Sequence, residues 1–237
     1  MLIKGLQRVT LLDYPGKIAC TVFLGGCNFR CPFCHNGTLV LPDKMGETIP
    51  TEEFLAFLDG RRGRLQGVCV SGGEPTLQPD LPELLSEIKA RGFAVKLDTN
   101  GTNPEMLLGL INDGLVDYVA MDIKNSPEKY LKTIGLNAEF RMQNAEWLLR
   151  SVKESASLLM QKKVDFEFRT TLMRELHTEE DIRSIGRWLA GDEKFFLQSY
   201  RDDGDLIVGG FTPFSREETE RLLAALVEFV PRAEIRG

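Results

Sequence analysis

Three thiols fall within eight residues of this chain. The stretch from Gly26 to Gly37 reads G-C-N-F-R-C-P-F-C-H-N-G, with Cys27, Cys31 and Cys34 at C-x3-C-x2-C spacing. Soft thiolate ligands favour zinc, copper(I) or iron–sulfur chemistry. A closed structural zinc site or an ordinary iron–sulfur cluster takes four protein ligands. Three thiolates leave one coordination position open, and an open position is where a reaction can occur. Three readings compete. A zinc site would draw its fourth ligand from His35, which directly adjoins Cys34, and no second C-x-x-C follows downstream. A haem attachment site matches Cys31-Pro32-Phe33-Cys34-His35 as C-x-x-C-H, but leaves Cys27 unexplained. A [4Fe–4S] cluster with one iron lacking a protein ligand uses all three thiolates.

The elements that must position this loop follow from the alternation of apolar runs. Lys17 to Leu24 is a β-rich run that stops at Gly25-Gly26, immediately before the first cysteine. The metal-binding loop therefore sits just beyond the C-terminal end of a strand, where parallel α/β folds bind their ligands. Further short apolar runs at 67–71, 93–98, 116–123, 164–171 and 194–199 alternate with helical patterns at 51–62, 79–91, 103–113, 138–159, 178–190 and 215–229. Residues 126–135 carry one or two helical turns, residues 1–16 read as a lead-in ending in the turn Asp13-Tyr14-Pro15-Gly16, and 232–236 is a candidate further strand. Repeated strand–helix units imply a parallel sheet. Six units predict an α/β fold: a partial (β/α)6 barrel, open on one side. No linker, repeat or low-complexity segment breaks 1–237 into parts, so one domain is expected.

The strand ends carry polar groups. After the cysteines come Gly72-Gly73-Glu74-Pro75, Asp98-Thr99-Asn100-Gly101, Asp122-Ile123-Lys124, Arg169 with His177 soon after, and Gln198-Ser199-Tyr200. Any one of these can be a plain turn. Their placement on consecutive strand ends reads as an active-site rim. Paired glycines let backbone approach a ligand closely, and a carboxylate beside them suits an ammonium group. Asp98 and Asn100 suit ribose hydroxyls. Asp122 and Lys124 lie two apart on one strand face, and Lys124 suits a carboxylate. Arg169 is a candidate cavity residue, and His177 is either a cofactor contact or an exposed histidine at a helix entry. Cys20 and Cys69 sit in apolar runs and are expected in the core. Trp147 and Trp188 are expected to pack from helices.

Composition narrows the partners. The chain has 237 residues, 43% hydrophobic and 27% charged, with net charge −6. That balance argues against a nucleic-acid partner, which calls for a basic face. No apolar run approaches the roughly 18 residues of a membrane span. No signal peptide is recognised after Met1. Five cysteines, three of them clustered, fit metal binding in a reducing cytoplasm rather than a disulfide framework.

The C-x3-C-x2-C loop followed by Gly72-Gly73-Glu74-Pro75 resembles the radical S-adenosylmethionine enzymes. Asp13-Tyr14-Pro15-Gly16, Gly26 to Asn36, Leu97 to Gly101 and Met121 to Lys124 resemble, within that superfamily, the glycyl-radical-enzyme activases. The same stretches are similar to the activating proteins of anaerobic ribonucleotide reductase and of pyruvate formate-lyase. The resemblance covers essentially the whole chain. It implies a [4Fe–4S] cluster on Cys27, Cys31 and Cys34, whose open iron takes the amino and carboxylate groups of S-adenosylmethionine. It places Phe33, Gly72, Gly73, Glu74, Asp98, Thr99, Asn100, Lys124 and His177 at the cofactor, and Asp98, Thr99 and Asp122 around a monovalent cation. It implies an electron from flavodoxin or ferredoxin, cleavage to methionine and a 5′-deoxyadenosyl radical, and hydrogen abstraction from a glycine of a partner enzyme. The alternative within the superfamily is a radical enzyme that modifies a small molecule, peptide or tRNA. Anaerobic reconstitution is expected to give a brown protein with about four irons per chain, and Cys34→Ala should abolish that chromophore while the fold persists. Iron analysis and the visible spectrum check both.

Overall fold

The computed structural model describes residues 1–136, 138–191, 193–202 and 206–236, with the backbone alone over 138–145. Seven strands run parallel: β2 (Ala19–Leu24), β3 (Gly67–Gly72), β4 (Ala94–Thr99), β5 (Tyr118–Asp122), β6 (Asp165–Leu172), β7 (Phe195–Ser199) and β8 (Ala233–Arg236). Each lies beside its predecessor, so spatial order follows chain order. An eighth strand, β1 (Ile3–Thr10), pairs antiparallel with β2 through the Asp13–Gly16 turn. β1 and β8 are the two edges of one open sheet. The expected open α/β barrel is present, with two additions. The lead-in segment is a strand, and 233–236 completes the parallel set. β1 lacks the continuous apolar character of a doubly covered strand, because three of its residues face solvent.

The connections between strands carry the helices α1 (Gly37–Val40), α2 (Thr51–Asp59), α3 (Leu81–Ala90), α4 (Pro104–Asn112), α5 (Tyr130–Thr133), α6 (Ala138–Leu159), α7 (Glu179–Trp188) and α8 (Arg216–Val227). Local chemistry sets several of their starts. Thr178 and Asp181 form a reciprocal capping box on α7, Ser215 and Glu218 one on α8, and Asn103 caps α4. Gly92 and Gly114 follow α3 and α4 at positive φ and turn the chain back into a strand.

Period-two alternation splits each strand between two environments. Val68, Val70, Val95, Leu97, Val119, Met121, Phe166 and Phe168 face outward and bury against Leu84, Leu85 and Ile88 of α3, Leu107 and Leu110 of α4, and Ile182 and Ile185 of α7. Each fully buried aliphatic or aromatic side chain contributes roughly 1.5–3 kcal/mol, so this layer is the main source of stability. The alternate residues face the barrel interior and are largely polar, including Thr21, Cys69, Lys96, Glu167 and Arg169. The strand bodies are thus apolar on one face only.

That split separates the two strand cysteines. Cys20 joins the apolar layer, as expected. Cys69 falls on the inner face, 3.7 Å from the Lys96 ammonium. The tryptophans also part. Trp188 packs edge-on against Tyr130 at 6.3 Å. Trp147, expected to pack, is 59% exposed. The buried stripe of α6 runs through Leu148, Val152, Ala156 and Leu159, and Trp147 lies off that stripe by helical geometry.

Glu167 on β6 is a fully buried carboxylate. Arg236 of β8 donates to both its carboxylate oxygens at 2.6 and 3.0 Å, and Tyr118 of β5 donates to it at 2.8 Å. The Arg236 guanidinium also lies 3.5 Å over the Phe196 ring of β7. One carboxylate therefore ties four strands together and anchors the short edge strand. Removing a single partner strands a buried charge, which costs more than the pair itself contributes. Arg236→Ala should destabilise the fold by about 2–3 kcal/mol. Pairing it with Glu167→Leu should recover most of that loss in urea unfolding.

Candidate active site

The cysteine loop leaves β2 at Gly25 and is clamped from three directions by backbone contacts. Gly26 donates to the Leu39 carbonyl at 2.8 Å and its own carbonyl accepts from Glu74 at 2.8 Å. Arg30 donates to the Ile134 carbonyl at 2.9 Å, and the Pro32 carbonyl accepts from Val208 at 2.8 Å. Two glycines make this possible. A Cβ on Gly73 would stand 1.9 Å from the Gly26 oxygen, and one on Gly135 would stand 1.9 Å from the Arg30 oxygen. The Gly-Gly pair at the end of β3 thus has a packing role beneath the loop as well as an edge on the cavity. Gly72 adopts φ +123, which strongly favours glycine, and its carbonyl accepts from Asn36 at 3.0 Å.

The loop forms one wall of a cavity of about 420 Å³ at the C-terminal ends of the strands. Of the residues expected at the site, Cys27, Cys31, Cys34, Phe33, Gly72, Gly73, Asp98, Thr99, Asn100, Asp122, Lys124 and Arg169 all line it. The strand order that places the four motifs side by side makes this convergence unavoidable.

Two expected residues lie behind the wall instead. Glu74 is buried, and its carboxylate accepts from Thr76 N (3.1 Å), Thr76 Oγ1 (2.6 Å), Thr99 Oγ1 (2.8 Å) and Asn100 N (2.6 Å). It joins the end of β3 to the end of β4. Burial pushes its pKa up despite those four donors. His177 is buried against the chain after β5. Its Nδ1 accepts from Met173 N at 3.3 Å, so Nε2 carries the proton and donates to the Lys124 carbonyl at 3.0 Å. Both residues hold the backbone of groups that do reach the cavity.

The floor of the cavity is a row of paired charges. Asp98 meets Lys96 through Oδ1, accepts from Ser71 at 3.0 Å through Oδ2 and lies 3.5 Å from Arg169. Asp122 accepts from Arg169 at 3.0 Å and from Lys124 at 2.9 Å. Burial alone would raise both carboxyls. Arg169 and Lys96 outweigh it at Asp98, holding that group below the usual carboxylate range. Arg169 and Lys124 outweigh it at Asp122, bringing that group to about 2. Burial works against the charged form of Lys124, but Asp122 holds its pKa above the usual value. Asp98, Asp122, Arg169 and Lys124 therefore stay charged at neutral pH.

Sequence reasoning passed over Lys96, which looks like one polar interruption of an apolar run. Its placement two residues before Asp98, on the same strand face, was the available signal. Asp13, whose carboxylate accepts from Thr21 at 2.5 Å, also reaches the cavity from the β1–β2 turn.

The donor set, three soft thiols, suits an iron–sulfur cluster. Among the described residues, no three His, Cys, Asp or Glu side chains converge closely enough for one metal ion. Cys27, Cys31 and Cys34 share one cavity wall, and thiolates are the ligands that hold such clusters. Burial pushes the Cys27 and Cys31 thiols up to about 12, so loading must release their protons. Donors already point at Cys27 Sγ, from Phe29 N at 3.3 Å and Asn100 Nδ2 at 3.9 Å. His35, beside Cys34, lines the cavity with Nε2 buried and without a hydrogen-bond partner among the described residues.

A second opening adjoins the first. It shares Asp13, His35, Asp98, Arg169, Thr171 and Gln198 with the main cavity and reaches outward past Leu11, Leu12 and Arg201. The site is therefore accessible through the unclosed side of the barrel. No helix of the described residues is long and apolar enough to cross a membrane.

The buried neutral state of His177 has a consequence for stability. Burial lowers its pKa below the ordinary value of 6.5. Below that pH the unfolded chain takes up a proton that the folded chain does not. Stability should therefore fall as pH drops through about 6.5. His177→Gln, which keeps a donor for the Lys124 carbonyl, should flatten that slope in guanidinium unfolding between about pH 7.5 and 5.5.

Comparison with known proteins accords with this geometry. Residues 21–174 match the model of the radical SAM superfamily. A Methanocaldococcus jannaschii protein, named as a glycyl-radical enzyme activating enzyme, is 34% identical over 200 residues, covering 84% of this chain and 80% of its own length. The pyruvate formate-lyase-activating enzyme of Listeria monocytogenes is 36% identical over 148 residues, 55% of this chain and 56% of that protein. A crystal structure of a domain of pyruvate-formate lyase-activating enzyme from Bacteroides vulgatus superposes with a TM-score of 0.54 at 17% identity, over 72% of this chain and 99% of that one. That last likeness speaks for the fold alone, an open and mostly parallel α/β barrel. With three cysteines on one wall of that site and these relatives across most of its length, the chain belongs to the radical SAM superfamily and groups there with the glycyl-radical-enzyme activating enzymes.

Proposed function

We propose that this protein generates a glycyl radical on a partner enzyme in the cytoplasm, and that the partner is an anaerobic ribonucleotide reductase. The observation that carries the reading is the cavity in which three thiols, a glycine edge, two carboxylates and the basic side chains of Lys124 and Arg169 meet beside an open flank. Cys27, Cys31 and Cys34 would hold a [4Fe–4S] cluster. When bound and reduced by a flavodoxin or ferredoxin, the cluster and S-adenosylmethionine supply the radical that takes a hydrogen from the partner's glycine.

The chain's own residues bind and orient. Lys124 offers its ammonium to the cofactor carboxylate, and its partner Asp122 keeps that ammonium charged. Gly72 and Gly73 bring bare backbone to the cavity edge, where an amino group can approach carbonyls. Asp98 and Asn100 would face the ribose, and Phe33 would lie against the same ligand. Glu74 acts through Thr99 and Asn100, fixing the β4 end that carries them. His177 acts through the Lys124 carbonyl. The apolar layer behind the strands keeps water from that side of the cavity, and a partner's loop would enter through the open flank.

Reconstituted protein with reductant and S-adenosylmethionine should release 5′-deoxyadenosine. With anaerobic ribonucleotide reductase added, a glycyl radical signal should appear by electron paramagnetic resonance. Deoxyadenosine formation with no radical on that partner or on any other glycyl radical enzyme of the host would overturn the activase assignment. It would point instead to a small molecule, peptide or tRNA substrate.

A further inference from the structure

Lys96 is the one charged residue of the cavity floor that does not line the cavity. Its side chain is 2% exposed, and its ammonium meets Asp98 and, at 3.7 Å, the Cys69 sulfur. Arg169 bridges Asp98 and Asp122 from β6. Lys124 reaches the cavity and is partly accessible. A ligand carboxylate can draw Lys124 away from Asp122, whereas nothing entering the cavity can reach Lys96.

The side-chain oxygens of Asp98, Thr99 and Asp122, the residues expected around a monovalent cation, each have partners within the chain. Asp98 is held by Lys96, Ser71 and Arg169, and Asp122 by Arg169 and Lys124. The Thr99 hydroxyl donates to Glu74 at 2.8 Å and accepts from Gly101 at 3.0 Å. Two buried carboxylates on adjacent strands require compensating positive charge. Three side-chain cations already meet those two anions, so a further cation would enter a row whose charge is already positive.

We propose that Lys96 is a positioning residue that serves as a permanent internal cation for Asp98. It fills from within the role that a sodium or potassium ion would otherwise fill among Asp98, Thr99 and Asp122. Cofactor binding is then indifferent to the monovalent cation in solution. A lysine suits the task because its ammonium is a compact point charge on a flexible stem, and the two-residue spacing puts it on the same strand face as its carboxylate. The proposal rests on the reading that this cavity takes S-adenosylmethionine.

The test is equilibrium dialysis of S-adenosylmethionine against the cluster-loaded full chain in potassium, sodium or choline chloride at equal ionic strength. Wild-type affinity should agree within about twofold across the three salts. Lys96→Ala removes the charge and leaves room, so affinity should fall about tenfold in choline and recover to within about threefold in potassium or sodium. Lys96→Met removes the charge but fills the room, and should bind weakly in all three salts. The proposal is overturned if wild-type binding tightens about tenfold with either metal ion, if Lys96→Ala is equally weak in every salt, or if it binds like wild type in choline. Should Lys96→Ala fail to fold, the wild-type comparison decides alone. An absence of wild-type binding in all three salts would overturn the cofactor reading and this proposal with it.

Discussion

The row of charges from Lys96 through Asp98, Arg169 and Asp122 to Lys124 is the constraint around which the barrel is built. Charged groups withdrawn from water are costly unless each is paired and its remaining valences are met. Here the pairing runs across β4, β5 and β6. The strands must keep their register for those contacts to survive, and the register in turn sets the geometry of the cavity floor. Glu167 and Arg236 repeat the device one layer deeper and bring β8 into the same arrangement. The apolar outer layer supplies most of the folding energy, but it tolerates modest rearrangement. The inner charges do not, and they are what make this interior specific.

The cysteine loop depends on a different kind of precision. Its side chains are ordinary for a metal-binding loop, but its backbone is pinned by the close approach of Gly73 to Gly26 and of Gly135 to Arg30. A loop that must present three thiols to one object cannot be left to surface mobility. Backbone contact at these two points transfers the rigidity of β3 and of the segment after α5 to the thiols. Asn100 couples the loop to β4 as well, bonding Asn28 at 2.9 Å and lying beside Cys27 Sγ.

Glu74 and His177 show that chemical type and sequence position do not settle a role. Both are ionisable, both sit in or near a strand-end motif, and both are behind the cavity wall. Four hydrogen bonds occupy the Glu74 carboxylate, and two backbone groups occupy the His177 ring. They determine where Asn100 and Lys124 stand. Lys96 is the converse, a residue inside an apolar run that completes the electrostatics of the floor.

The sequence by itself determined the parallel open barrel, the three cysteines beyond the first parallel strand, and the set of strand-end motifs that share the site. These are encoded locally, in apolar periodicity, glycine punctuation and ligand spacing. β1 was not legible because an edge strand needs no continuous apolar signature, and the exposure of Trp147 depended on where the α6 stripe fell. Only the tertiary structure decided which polar residues face the cavity and which support it. That distinction turns on the partners each side chain meets from other strands. Glu74 meets Thr99 and Asn100 from β4 and the turn after it, His177 meets the Lys124 carbonyl beyond β5, and Asp98 meets Arg169 from β6. No local pattern records such long-range pairings, so the gathering of these motifs at the strand ends could be read from the chain but not the division of labour among their residues.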